Sequence, residues 1–427
     1  MIYKIFNYLN KNKHFPYYVC TPLPYAIGTA AENLRVGLRL ASISNKKLLI
    51  IVPTILKLFL NYSLCNKAFF EEMRIGKLSK ADMVIKYIFS ILINIQFLLN
   101  RFKIYLIKNF TKTKLTTKHT EFGQRFPDVG VRYSMKRTIN FDEIKLPNHE
   151  TYSVNLSKHL NSFCLKKIKE MGIHENEKFV CVHVRDHIYR NDKGRREFRN
   201  SDINNYKEAI LYLLSRDYWV IRTGQAANKK LDINNPKFID YPFTKFKSDY
   251  LDLYLIKNCK FMICTQAGLL SVGYLFNKPI LLTNKVRFFE SFSANKLSRT
   301  ISKKPFWKKN NKPIILEDYM KLKYDYHHMD FLNDEIDFIE NNSNEILEAT
   351  KEILANIESE VSFEPEANQF LFNKTILSSF KKNYTDTRDR LTKESLYIEK
   401  IFNVIVEFKE GKECYSNFFL KKYFKSS

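Results

Sequence analysis

Between Lys178 and Gly224 the chain carries two near-continuous apolar runs separated by one amphipathic stretch, and few folds accept that pattern. Phe179-Val180-Cys181-Val182-His183-Val184 ends in Arg185-Asp186. A helical periodicity runs from Asp202 to Arg216, and Tyr218-Trp219-Val220-Ile221-Arg222 follows, closed by Thr223-Gly224. Apolar residues at successive rather than alternate positions mark a strand buried on both faces, as in parallel sheets. Two such strands joined by a helix predict a βαβ unit, whose strand ends open onto a ligand crevice. Both strands finish in arginine, and an arginine-rich segment lies between them (Tyr189, Arg190, Arg195, Arg196, Arg199). The guanidinium fork meets phosphate oxygens bidentately, so the pattern points to a phosphate-bearing ligand.

The alternation continues downstream. Phe238–Asp240 reads as a short strand, Ser248 as the cap of a helix running to Asn258, and Lys260–Cys264 as a further strand. Thr265 is expected to start a helix through Phe276, with Ile280–Leu282 as the next strand. This is the signature of an α/β domain with a doubly wound parallel sheet. Near the N-terminus, Tyr17–Cys20, a helix from Gly28 to Leu40 and a strand from Lys47 to Val52 predict a second βαβ unit. A chain of 427 residues is too long for one ordinary core. The polar stretch 108–150, with Gly123, Pro127, Gly130 and Pro147 as breakers, places the boundary near residue 150. Three parts are expected: an N-terminal domain over 1–150, a second domain over 151–357 and a C-terminal helical extension over 358–427. Val154 to Met171 is expected to be helical, as is 344–357; the extension is apolar only around Phe418, Phe419, Leu420 and Phe424.

The formal charge of +25 fits a nucleic-acid binder, a protein at an anionic membrane surface, or an enzyme with polyanionic substrates. The basic residues are scattered and no recognition motif accompanies them, which argues against nucleic acid. Tyr87–Asn100 is free of charge but only 14 residues long, short of the ~20 that span a bilayer. Packing within its own domain and peripheral attachment to an anionic membrane both suit it. Met1–His14 lacks the apolar core of a secretory signal, so cytoplasmic residence is expected, with contact at the inner membrane face allowed. The seven cysteines form no C-x-x-C pair and read as buried free thiols. With no D-x-D triplet, neither a metal nor another cofactor is expected; with no G-x-G-x-x-G or Walker loop, the chain does not read as a dinucleotide oxidoreductase or an ATPase.

Several residues qualify for a site. His183 and Arg185 are two apart, so their side chains leave one face at the strand's C-terminal end. Arg222 and Gly224 end the neighbouring strand. For either arginine the structural alternative is an ion pair with Asp186; for His183 it is a satisfied core histidine. The turn Thr265-Gln266-Ala267-Gly268 presents backbone N–H groups and a positive helix end, suited to a diphosphate. Asp249 and Asp252 suit a sugar hydroxyl, although a solvated helix face accounts for them better. The catalytic base is left open between Glu32, placed after Gly28, Asp186 and others.

The string His183-Val184-Arg185-Asp186, Tyr189-Arg190, Phe198-Arg199-Asn200-Ser201-Asp202 with Tyr206, and Val220-Ile221-Arg222-Thr223-Gly224 resembles a family of bacterial surface-polysaccharide glycosyltransferases. Ser248-Asp249 with Asp252, Thr265 with Gly268, Leu275-Phe276-Asn277-Lys278-Pro279, and Tyr415–Tyr423 continue the resemblance. More distantly, the H-x-R motif is similar to that of GDP-fucose-dependent fucosyltransferases, in which the arginine binds the donor's β-phosphate. The resemblance implies two facing Rossmann-like domains of the GT-B kind and a nucleoside diphosphate sugar held by the second, with no obligatory metal. The implied enzyme is a hexosyl- or fucosyl-type transferase acting on a surface glycan or a lipid-linked glycan. The donor role carries to Arg185, then to His183, Arg222 and Asp252. Ala267 departs from the family's serine and removes a hydroxyl from the donor side. The rival expectations are a basic nucleic-acid-binding protein and a non-catalytic membrane-peripheral protein on a transferase fold.

Overall fold

The computed structural model describes residues 2–22, 27–51, 66–71, 73–75, 79–110, 154–188, 197–286, 295, 297–315, 318–319, 335–359, 369, 371–372, 374–375 and 415–424. Tyr189, Arg190, Arg195 and Arg196, the breakers between 123 and 147, and Cys65 and Cys414 lie outside them. The described residues fall into two compact units, the first ending at Ser157 and the second starting at Lys158.

The first unit runs α1 (Ile2–Lys11), β1 (Tyr17–Cys20), α2 (Ile27–Ile43), β2 (Lys47–Ile50), α3 (Lys67–Glu71), β3 (Met73–Ile75), α4 (Lys80–Phe110) and β4 (Val154–Leu156). β1 and β2 pair in parallel across α2, as the apolar runs predict. Phe6, Tyr17, Val19, Leu49, Ile51 and Ile93 form a core, against which Ile85, Phe89 and Leu92 of α4 pack. The start of α4 is fixed by Asp82. Its carboxylate accepts from the Ser79 N–H at 2.7 Å while Ser79 Oγ accepts from the Asp82 N–H at 3.1 Å, a reciprocal cap. The Tyr17 hydroxyl, 2.6 Å away, holds that carboxyl well below the usual carboxylate range. Residues 154–156 correct the expectation of one helix over 154–171: they form a strand antiparallel to β3. Three residues leave too little pattern to betray a strand, and the partner's backbone groups decide their conformation.

The second unit continues with α5 (Lys158–Glu170), β5 (Phe179–His183), 3₁₀ turns at Glu197–Arg199 and Ile203–Tyr206, α6 (Lys207–Ser215), β6 (Trp219–Arg222) and β7 (Phe238–Asp240). Next come α7 (Asp249–Asn258), β8 (Met262–Cys264), α8 (Gly268–Leu275), β9 (Ile280–Lys285) and β10 (Arg299–Ser302). β5 to β10 form one parallel sheet in the order β10-β9-β8-β5-β6-β7. Counted along the chain this is 3-2-1-4-5-6, the doubly wound order of nucleotide-binding sheets, with its reversal between β5 and β8. The expected α/β class is what the chain adopts. α8 lies so close on the sheet that a Cβ at Gly273 would stand 2.7 Å from Met262 Sδ and 2.9 Å from Ile280 Cδ1.

Beyond the sheet, β11 (Lys304–Trp307) pairs antiparallel with both β12 (Lys312–Pro313) and β13 (Ile336–Ile339). α9 (Ser343–Glu358) opens with a capping box between Asn342 and Glu345. Within the expected extension, Tyr415 bridges Thr300 of the edge strand β10, its hydroxyl 2.9 Å from Ser302 Oγ, and leads into α10 (Asn417–Tyr423). Glu352 of α9 accepts from Arg299 Nε at 2.9 Å and from Ser416 Oγ at 2.6 Å, so the fully buried Arg299 is charge-paired. Glu345 takes Lys304 at 2.7 Å and the Tyr423 hydroxyl.

Candidate functional site

At the switch point between β5 and β8 the connections leave in opposite directions, and a doubly wound sheet opens a crevice there. Arg185 sits at this point. Its backbone N–H donates to Thr265 Oγ1 at 2.9 Å, and its Nη1 donates to Asn200 Oδ1 at 2.6 Å. The segment after β5 is drawn back over the same place, because the Ser201 N–H donates to the Arg185 carbonyl at 3.0 Å. That return brings Arg199, whose Nε donates to the Gln266 carbonyl at 3.1 Å. Both arginines are half-buried. From below, Lys303 Nζ donates to the Asn200 carbonyl at 2.8 Å and pairs with Glu340 at 3.3 Å; burial pushes its ammonium down.

The helix beyond β8 starts at Gly268, not at the expected Thr265. Thr265 is wholly buried, and its hydroxyl serves the Arg185 backbone. Ala267 is the N-cap and supplies no side-chain cap, while Ala267 and Gly268 are both half-exposed. Gln266 is buried, its Oε1 accepts from the Val286 N–H at 3.0 Å, and its Nε2 has no hydrogen-bond partner among the described residues. A buried amide donor left unmatched costs about 1–3 kcal/mol, so its place beside an uncapped helix start marks this end of the sheet.

Arg222 goes elsewhere. β6 pairs with β5 so that Arg222 stands opposite Val182, and paired residues of parallel strands share a face, which puts Arg222 on the side away from His183. It is buried, Nη1 donating to the Lys229 carbonyl at 2.7 Å and pairing with Asp240 at 3.3 Å. The expected convergence of the two strand-end arginines is therefore corrected, and so is the expected ion-pair partner. Asp186 instead accepts the Ile188 and Asn228 N–H groups.

His183 donates from Nδ1 to the Thr223 carbonyl at 3.0 Å, leaving Nε2 as an acceptor. Burial lowers its pKa, so the ring is neutral near pH 7. Gly224 follows with φ +132°, and a Cβ there would stand 3.3 Å from the imidazole. Glycine alone meets both demands. Glu32 lies in the first unit on α2, salt-bridged to Arg35 at 3.2 Å.

Asp252 overturns the solvated-face expectation: it is 2% exposed in the first turn of α7. Gln225 Nε2 donates to its Oδ2, while Oδ1 has no hydrogen-bond partner among the described residues. Burial raises the carboxyl to about 7, against the pull of Gln225. The folded protein therefore keeps a proton that the unfolded chain releases near pH ~4. Stability from this group is complete below pH ~4, falls as pH rises toward about 7 and levels off above it. Asp252→Asn is expected to flatten the melting-temperature profile across that window and to raise it above pH 7. Thermal denaturation at a series of pH values tests this, and an unchanged slope would refute the buried-acid account.

Sequence reading singled out Arg185 and the turn at 265–268, and the structure places them side by side at the switch point. That reading missed the work of Asn200, Gln266, Lys303 and Glu340. Gln266, a polar residue at the end of an apolar run, was a visible signal; Lys303, just before β11, and Glu340, just after β13, lie far along the chain and gave none. Among the described residues no group of three or more His, Cys, Asp or Glu side chains is placed to hold a metal ion. Cys20, Cys164, Cys181, Cys259 and Cys264 are free and buried.

No family model and no curated protein matches the chain. Solved structures similar to part of it include two heptosyltransferases. One is the ADP-heptose LPS heptosyltransferase II of E. coli, at 14% identity and a TM-score of 0.30 over 51% of this chain and 57% of that one. The other is the dodecameric iron-containing heptosyltransferase TibC in complex with ADP-D-β-D-heptose, at 12% identity and a TM-score of 0.24 over 43% and 46%. The chain thus spans about half the length of the structures it matches. At this level of overlap the likeness carries no functional weight.

Proposed function

We propose that the β5/β8 switch point binds the diphosphate of a nucleoside diphosphate sugar, and that the protein transfers the sugar to a surface glycan or a lipid-linked glycan. One observation carries this reading. Two half-buried guanidinium groups, Arg185 and Arg199, are fixed by strand-end and turn contacts beside a helix start without a side-chain cap. Helix N-termini and arginine forks both favour phosphate oxygens.

In the transfer, the bond from the sugar's anomeric carbon to the diphosphate oxygen breaks and a bond to an acceptor hydroxyl oxygen forms. The leaving diphosphate gains negative charge, which Arg185, Arg199 and the N–H groups at the start of α8 stabilise. A metal ion is not needed for that role in this reading. An inverting route also needs a base for the acceptor proton. The neutral His183, at the end of β5, is the candidate within this unit.

Thermal-shift titration with GDP-, UDP-, ADP- and dTDP-linked sugars tests the donor, with CMP-linked sugars as the single-phosphate control. One diphosphate class is expected to raise the melting temperature with the logarithm of its concentration. If none of them does so, the reading fails. Steep salt-dependent binding of DNA or RNA instead would favour the nucleic-acid alternative.

A further inference from the structure

The helix α4 buries one side and leaves an apolar stripe on another. Ile85, Phe89, Leu92 and Ile93 face the core of the first unit. Val84, Tyr87, Ile88, Ile91, Ile95, Leu99 and Phe102 are exposed, from 43% at Ile91 to 69% at Tyr87. Their spacing of three and four places them along one side of the helix, over about 27 Å from Val84 to Phe102. The neighbouring α1, whose Phe6 ring lies 4.9 Å from that of Phe89, adds exposed Ile5 and Tyr8. An exposed apolar surface of this extent marks an interaction site.

Charge selects the occupant. The helix carries Lys80, Lys86, Arg101, Lys103 and Lys108, and its one acid, Asp82, is buried and bonded to Tyr17 and Lys47. A second copy seated on this face would set this basic helix against its own like. A phosphate-rich lipid surface would neutralise them while taking up the apolar side chains. Among the described residues no helix is long and apolar enough to cross a membrane, and the core side of α4 is already covered by protein. We propose that this side of α4 is the surface on which the protein docks, lying in the plane of an anionic bilayer. The proposal goes beyond the donor-site reading and stands or falls separately from it.

Flotation of the full chain with phosphatidylglycerol-containing vesicles, compared with phosphatidylcholine vesicles, tests it. The wild-type protein is expected to float with the anionic vesicles and to dissociate as salt rises. Ile91→Ser/Ile95→Ser is expected to weaken partition by ~10-fold or more. Lys80→Gln, at an exposed position four residues before Val84 and so on the same side of the helix, is expected to weaken anionic binding about fivefold and leave neutral vesicles unaffected. Thermal shifts with nucleotide sugars should be the same for all three proteins. Unchanged flotation of both variants would overturn the proposal. So would sedimentation showing a wild-type dimer that the double variant dissolves, with no vesicle binding.

Discussion

Purified Arg185→Ala protein is expected to lose ~10²–10³ of its transfer rate while melting close to the wild-type temperature. The size follows from removing one charged donor from a developing diphosphate in a partly desolvated site. The small effect on stability follows from geometry. The side chain is half-buried, and the Asn200 amide that it leaves behind is half-buried too and within reach of water. Arg185→Lys keeps the charge but loses the planar fork, so it should restore only part of the rate. Initial rates of nucleoside diphosphate release, with melting curves on the same preparations, decide the matter. Turnover by Arg185→Ala at the wild-type rate would remove the residue from the mechanism.

Arg222→Ala should behave in the opposite way. Arg222 and Asp240 are buried together, with side chains 3% and 12% exposed. Alanine there strands the Asp240 carboxylate with only the Leu231 N–H at 2.9 Å, and it leaves the Lys229 carbonyl without its donor. Breaking a buried pair from one side costs roughly 3–5 kcal/mol. The denaturation midpoint should fall accordingly, and the double variant Arg222→Met/Asp240→Leu should recover much of the loss. If Arg222→Ala is as stable as the wild type yet binds donor poorly, the residue contacts ligand after all.

These paired outcomes show what a one-dimensional reading can see. β5, β6, β8 and β9 were legible because strands buried on both faces need apolar residues at nearly every position. The turn after β8 was legible because it must follow such a strand. The face on which an arginine lands depends on register, and the pairing of Arg222 with Val182 is a tertiary fact with no local trace. β10 was invisible for a related reason. Arg299, Thr300 and Ser302 have no apolar pattern, yet all are buried because Glu352 and Tyr415 supply their partners from far along the chain. Asp252 looked like an exposed helical acid because the spacing of α7 cannot say that α7 is covered on almost every side.

The seating of Tyr415 on β10 has a consequence during synthesis. The hydroxyl of Ser302 meets its partner 113 positions downstream. The ribosome therefore delivers the parallel sheet well before the segment that covers its outer strand. Until that segment emerges, the nascent domain shows an uncovered rim of backbone N–H and C=O groups, the kind of surface that recruits other chains and chaperones.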